Sequence, residues 1–301
     1  MIVEDIVASV PGWNGSGDFE IELLGGLTNT NYLVGVNHEK FVLRVSGANT
    51  EYLGINRDHE VEALRNAFRH GIGPEIYHYF QPEGHLVTRY INGRHWSYEE
   101  YCQKMNLSRM VDAVKTMHRF PPIKAESNPF QRIESYLKHT DKFNVPYPEG
   151  FHNVLAKMRS IETDLSLEAD KYRGFCHNDL FSLNFLDDGS LHFIDWEFAG
   201  MGDIFYDLAT LAYTFDSVGE IPDELQEFIL ARYFGDDDID GSIKRRFNHM
   251  KFMVLLYAVM WGLLQYGLQN EGISRPIDGF DCMEYSKFMF NIILESDGFK
   301  F

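Results

Sequence analysis

Apolar and acidic residues alternate from Phe19 to Leu24, the period-two pattern of a half-buried strand. Gly25 to Asn31 interrupts it as a turn, and Tyr32 to Val36 forms a second strand. After Asn37-His38-Glu39, Lys40 to Val45 reads as a third. The period then lengthens: Val61, Leu64, Ala67 and Phe68 share one helical face, predicting a helix over Arg57–His70 that Gly71 closes. Ile76 to Phe80 and His85 to Ile91 return to strand, with Pro82-Glu83-Gly84 as the turn between them. The antiparallel region ends near Asn92-Gly93, a hinge that divides the chain into 1–92 and 93–301.

Beyond Trp96 the pattern is mainly helical. It predicts helices over Tyr98–Phe120, Pro129–Leu137, Phe151–Leu165, Asp207–Phe215, Pro222–Phe234, Ile243–Asn270 and Met283–Glu295. The exception is residues 175–195, where Phe175-Cys176, Asn184 to Leu186 and Leu191 to Ile194 read as short strand pieces around a loop. The expected class is α+β in two lobes, a small antiparallel sheet followed by a larger helical part.

Composition narrows the partners. The 301 residues carry 27 Lys and Arg against 45 Asp and Glu, a formal charge of −18. Nucleic acid and anionic membranes demand a basic surface, so neither is expected, whereas a cationic substrate suits this balance. Cys102, Cys176 and Cys282 are scattered and form no Cys-x-x-Cys pair, the usage of a reducing compartment. Met1 to Val10 holds Glu4 and Asp5 and no basic residue, unlike a secretory signal. The longest apolar run, Phe252 to Leu264, falls short of the ~20 residues of a membrane span. A cytoplasmic protein without membrane insertion is expected.

The chemistry is concentrated between His177 and Glu197. Asp179, Asn184 and Asp195 stand in the order and spacing of phosphoryl-transfer enzymes. There one carboxylate orients the attacking hydroxyl, and an amide and a second carboxylate hold the magnesium that accompanies ATP. Two features depart from the protein-kinase signature: Asn178 replaces its Arg, and Asp195-Trp196-Glu197 replaces Asp-Phe-Gly.

His177-Asn178-Asp179-x-x-x-x-Asn184 with Ile194-Asp195-Trp196-Glu197-Phe198-Ala199 resembles the choline/ethanolamine kinases, relatives of the aminoglycoside phosphotransferases. The resemblance runs from about Leu24 to Phe290 and is densest between Gly174 and Leu208. It implies a bilobal protein-kinase-like fold and Mg²⁺- and ATP-dependent phosphorylation of a small cationic amino alcohol. Asp179 then becomes the catalytic base, with His177 buttressing its loop, Asn184 and Asp195 the metal ligands, and Asp207 a scaffold acid. The Gly25–Asn31 turn, with Gly26, Thr28, Asn29 and Asn31, would cover the nucleotide. Arg44 would grip the phosphates and pair with Glu60, with Glu62 the alternative partner. Trp261 and Tyr285 would wall a quaternary ammonium, with Asp195 or Glu197 supplying charge.

The sequence departs from that pattern in two places. Eukaryotic choline kinases carry a second tryptophan where this chain has Ala258, next to Tyr257, and an acid near the position of Thr214, which only Asp216 approaches here. Two other readings compete. One is an aminoglycoside-type or other amino-alcohol phosphotransferase, which shares the loop. The other is a non-catalytic, kinase-like nucleotide-binding protein.

Overall fold

The computed structural model describes residues 2–13, 19–166, 169–214 and 219–296. The chain opens with a short helix, α1 (Val3–Ala8), for which the sequence pattern had provided no expectation. Strands β1 (Glu20–Gly25), β2 (Thr30–Val36) and β3 (Glu39–Val45) follow, each within a residue or two of its predicted limits. A single helical turn, α2 (Thr50–Leu53), leads to α3 (Arg57–Arg69), then β4 (Ile76–Tyr79) and β5 (Leu86–Arg89). The five strands form one antiparallel sheet in the order β1-β2-β3-β5-β4.

One face of that sheet is sealed by the N-terminal segment. Ile6, Val7, Val10 and Trp13 bury themselves on Val34, Phe41, Leu43 and Val87, and Trp13 stacks on Tyr77 at 5.6 Å. On the other side α3 turns Val61, Leu64 and Ala67 into the main core. Asn56 caps α3 by accepting from the Asp58 and His59 amides, which sets the phase that points Glu60 inward.

Past β5, Arg94 pairs with Asp187 in an isolated antiparallel bridge, tying the connecting segment to the second part of the chain. That part contains α4 (Tyr98–Tyr101), α5 (Lys104–Met117), α6 (Pro129–Lys142) and α7 (Phe151–Ser166). β6 (Arg173–Cys176), β7 (Phe185–Asp187), β8 (Leu191–Phe193), β9 (Gly200–Asp203) and α8 (Ile204–Thr210) come next. The chain continues through β10 (Tyr213–Thr214), β11 (Gly219–Glu220), α9 (Asp223–Phe234), α10 (Gly241–Asn270) and α11 (Cys282–Glu295).

Three expectations need correction. The helix predicted over Tyr98–Phe120 is broken at Cys102-Gln103. A Ser97/Glu100 capping box starts the first piece and extended backbone at Gln103 starts the second, so Tyr101 can bury its ring and donate to the Leu211 carbonyl at 2.9 Å. The helix predicted over Asp207–Phe215 begins instead at Ile204, capped by Asp203, and ends at Thr210 because Tyr213–Thr214 pairs with Gly219–Glu220. Phe215 lies outside the described residues. Asn184 closes a 3-10 turn, Ser182–Asn184, rather than opening a strand.

α10 is the axis of the helical part. It is 30 residues long and apolar enough to cross a membrane by length, yet 83% of its most apolar window is buried in this fold. α11 packs on it closely. A Cβ on Gly262 would lie 2.8 Å from the Cys282 carbonyl oxygen and 2.9 Å from Ser286 Cβ. Gly262→Ala would therefore force the two backbones apart, outweighing the usual gain of Ala over Gly inside a helix. We expect a loss of about 1–3 kcal/mol, read as a lower midpoint in urea; an unchanged or raised midpoint would contradict this packing.

Candidate active site

A cleft of about 670 Å³ separates the sheet from the helical part. Gly26, Thr28, Asn29, Asn31, Arg44 and Glu60 line it from the N-terminal side, and Asp179, Asn184, Asp195, Glu197, Trp261 and Tyr285 from the other. His177 and the scaffold acid Asp207 lie behind its wall, both fully buried.

The upper wall is built on the β1–β2 turn and β3. Gly26 has φ +135°, and a Cβ there would sit 2.3 Å from the Asn29 carbonyl oxygen, so the turn requires glycine. Register places Arg44 opposite Asn31. Arg44 Nη2 donates to Glu60 Oε2 at 3.0 Å and to the Gly84 carbonyl at 3.2 Å, which makes Glu60, not Glu62, its partner. Asn29 is not turned toward the cavity as a free donor. Its Nδ2 donates to Glu197 Oε2 at 2.8 Å, and its Oδ1 accepts from Arg57 at 2.7 Å.

Arg57 went unnoticed in the sequence. Its Nη1 bridges Glu60 Oε2 at 2.8 Å and Glu197 Oε2 at 2.9 Å. The Arg57–Glu60 spacing of i,i+3 was the one local signal. Glu197 and Asn29 are 140 and 28 residues from Arg57 in sequence, beyond any periodicity.

The lower wall is a loop held by one buried acid. Asp207 in α8 accepts from the His177 amide at 2.8 Å and the Asn178 amide at 2.7 Å. His118 Nε2 lies 3.1 Å from its Oδ2. Asn178 adopts φ +63° and donates Nδ2 to the Phe198 carbonyl at 3.1 Å, closing the loop onto the Asp195–Phe198 segment. His177 Nε2 lies 3.0 Å from the Ile194 carbonyl. A carbonyl only accepts, so this nitrogen carries the proton, and burial lowers the ring's pKa to about 4. His177 is thus a neutral buttress.

Asn184 Nδ2 donates to Asp179 Oδ2 at 2.6 Å and to the Asp179 carbonyl at 2.7 Å, which fixes the carboxylate and leaves Asn184 Oδ1 as the side-chain atom that could hold a metal. Asp195 sits at φ +61°, a conformation costly for a non-glycine residue. Burial, then the Glu197 charge, raises the Asp179 pKa to about 7. Asp195 is pushed well up by burial and by the charges of Glu197, Asp179 and Glu60. Crowded oxygen ligands short of positive charge are the donor set that a hard divalent cation satisfies.

At the far end, Trp261 stands 5.9 Å from Tyr285 at 89° and 6.0 Å from Phe280 at 68°. Phe280 and Tyr285 are 5.1 Å apart, so three rings, not two, form this wall. Burial, then the Asp179 charge, raises the Tyr285 phenol to about 12, an electrostatic link between the rings and the loop carboxylate. Tyr257 and Ala258 line the cleft beside them, Thr214 is buried, and Asp216 lies outside the described residues.

The choline/ethanolamine kinase family model matches residues 21–293. The chain belongs to the choline/ethanolamine kinase family. This family member is an ATP-dependent phosphotransferase with an alcohol acceptor. It is 29% identical over 250 residues to the protein LicA of Haemophilus influenzae, covering 80% of this chain and 70% of that one. A crystal structure of a choline/ethanolamine kinase family protein from Mesorhizobium loti superposes with TM-score 0.77 at 29% identity, covering 99% and 97% of the two chains. An ADP-bound aminoglycoside phosphotransferase shares the bilobal kinase-like fold at greater distance, with 15% identity, TM-score 0.64 and full coverage of both chains.

Asp207→Ala would strip two buried amides of their acceptor, each worth about 1–3 kcal/mol. The expected outcome is a kinase at least about 2 kcal/mol less stable, with the smaller loss in Asp207→Asn, which keeps one acceptor oxygen. Urea denaturation reads both; wild-type midpoints would show that the loop is held by something else.

Proposed function

We propose that this kinase transfers the γ-phosphate of Mg·ATP to the hydroxyl of choline, with ethanolamine as the related acceptor. The observation carrying this reading is one cleft that holds both Asp179 and the Trp261–Phe280–Tyr285 rings, opposite the Arg44–Glu60 pair. We further assign residues 1–92 to the nucleotide side and 93–301 to catalysis and the acceptor, in a protein that works in the cytoplasm.

Three aromatic faces favour a quaternary ammonium, which offers no hydrogen bond and is attracted by ring quadrupoles. Seated there, the acceptor would direct its hydroxyl toward Asp179, whose Oδ2 is already oriented by Asn184. Asp179 accepts the hydroxyl proton as the oxygen bonds to the γ-phosphorus and the bond from that phosphorus to the ADP oxygen breaks, releasing ADP. Positioning matters more than base strength, because the transition state of phosphoryl transfer is loose. Arg44 would donate to phosphate oxygens from the opposite wall while Glu60 fixes its plane. Asn184 and Asp195 would hold the magnesium that accompanies ATP, whose charge would offset the negative charge developing on the transferred phosphoryl group. Glu197 sits differently from the ammonium-pairing role the resemblance implied, since its Oε2 is engaged by Arg57 and Asn29. We place its charge on the phosphate side of the cleft.

An aminoglycoside acceptor fits less well, because a polyhydroxylated polyamine calls for carboxylates where this cleft presents rings. The non-catalytic reading is opposed by the convergence of every required chemical group in one cavity.

Asp179→Asn keeps the shape and removes the base, so kcat with choline should fall by about two to four orders of magnitude while ATP still binds. Near-wild-type turnover would remove Asp179 from this role. Trp261→Ala should raise the KM for choline about five- to thirtyfold, the value of a desolvated cation–π contact, with the KM for ATP unmoved. Equal changes in both constants would make Trp261 packing only.

A further inference from the structure

Arg57 does not line the cleft, yet it touches three residues that do. Its Nη1 is shared between Glu60, the partner of Arg44, and Glu197, two residues after Asp195. Its Nη2 holds Asn29 in the glycine turn. The stem is fixed as well. Gly84 packs on it so closely that a Cβ at Gly84 would come within 2.7 Å of Arg57 Cγ. Only about a tenth of the side chain is exposed, and the shared carboxylate oxygens are more buried still. Burial works against the guanidinium's charge, but Glu60 and Glu197 more than offset it, so Arg57 stays protonated.

No other cation is within ion-pair distance of Glu197 among the described residues. Arg57 is therefore the charge that lets a carboxylate from the helical part approach one from α3 across the cleft. A guanidinium suits this task because its planar fork serves two acceptors from one nitrogen and a third from the other.

We propose that Arg57 is a positioning residue for the phosphoryl donor. It sets the Arg44–Glu60 pair and the Asp195–Glu197 segment in one geometry, so that the grip on the ATP phosphates and the metal-holding segment are built as a unit. The inference rests on the kinase reading above and goes beyond it by naming what joins the two walls. Arg57 acts through Glu60, Asn29 and Glu197 and touches no reacting atom.

The test compares Arg57→Gln, Arg57→Lys, Glu197→Gln and the Arg57→Gln/Glu197→Gln double variant. Thermal midpoints are measured first, then affinity for Mg²⁺ with a non-hydrolysable ATP analogue in the absence of acceptor, then the KM and kcat with choline. Arg57→Gln should bind the nucleotide about tenfold more weakly and show a lower kcat, with the KM for choline changing less than about twofold. Arg57→Lys restores the charge but not the fork, and should fall between Arg57→Gln and wild type. The double variant should lose no more than the worse single variant, because both break one linkage.

Wild-type nucleotide affinity in a folded Arg57→Gln, or in Arg57→Lys if the former fails to fold, overturns the proposal. So does a double variant whose loss is the product of the two single losses. Affinity is read without acceptor. A wild-type enzyme that binds Mg·ATP but phosphorylates neither choline nor ethanolamine would therefore sink the acceptor reading and leave the Arg57 result legible.

Discussion

Carboxylates cannot be gathered out of water unless something offsets their repulsion, and this cleft gathers four: Glu60, Asp179, Asp195 and Glu197. Much of the site's architecture answers that constraint. Arg44 on β3 and Arg57 at the start of α3 converge on Glu60, and Arg57 also reaches Glu197. Asn29 fills the remaining polar gap between Glu197 and the guanidiniums. Asp179 and Asp195 are left under-compensated, with raised proton affinity, beside the position we propose for the divalent cation.

The loop that carries Asp179 depends on backbone capture. Asp207 takes two consecutive amides, Asn178 tolerates a positive φ, and His177 is dried out and neutral so that it can brace Ile194. Asn178 and Asp195 hold left-handed backbone within this frame, a cost borne only where the surroundings over-determine the conformation. Behind it stands α10, buried along most of its length, with Trp261 on its one cleft-facing side. α11 and the segment before it bring Tyr285 and Phe280 to that ring, and the small Gly262 lets the two helices approach closely enough to do so.

Local features of this fold were legible in the sequence, and long-range ones were not. The alternation from Phe19 to Leu24 and the short apolar runs after it located the first three strands, because Ile21, Val34, Phe41 and Leu43 share one apolar cluster and the turns between the strands are rich in glycine and asparagine. The Asp179, Asn184 and Asp195 spacing was legible because all three lie on one short loop and strand excursion. α1 was missed because it is only six residues long, with Ile6 and Val7 its buried pair, too short for a helical period to show. β9 was hidden in Gly200-Met201-Gly202-Asp203, whose glycines carry no strand signal, although it pairs along all of β6. Arg57 owes its role to contacts with Glu197 and Asn29, 140 and 28 residues away in sequence. No periodicity could have assigned it.

The central claim is that one cleft serves both a phosphate donor and a cationic alcohol. Its most direct test is ADP release from Mg·ATP by the wild-type protein, measured with choline, ethanolamine, kanamycin and no acceptor. The account predicts strong release with choline, weaker release with ethanolamine, and background in the other two. Release with kanamycin alone, or equal release with and without acceptor, would contradict it.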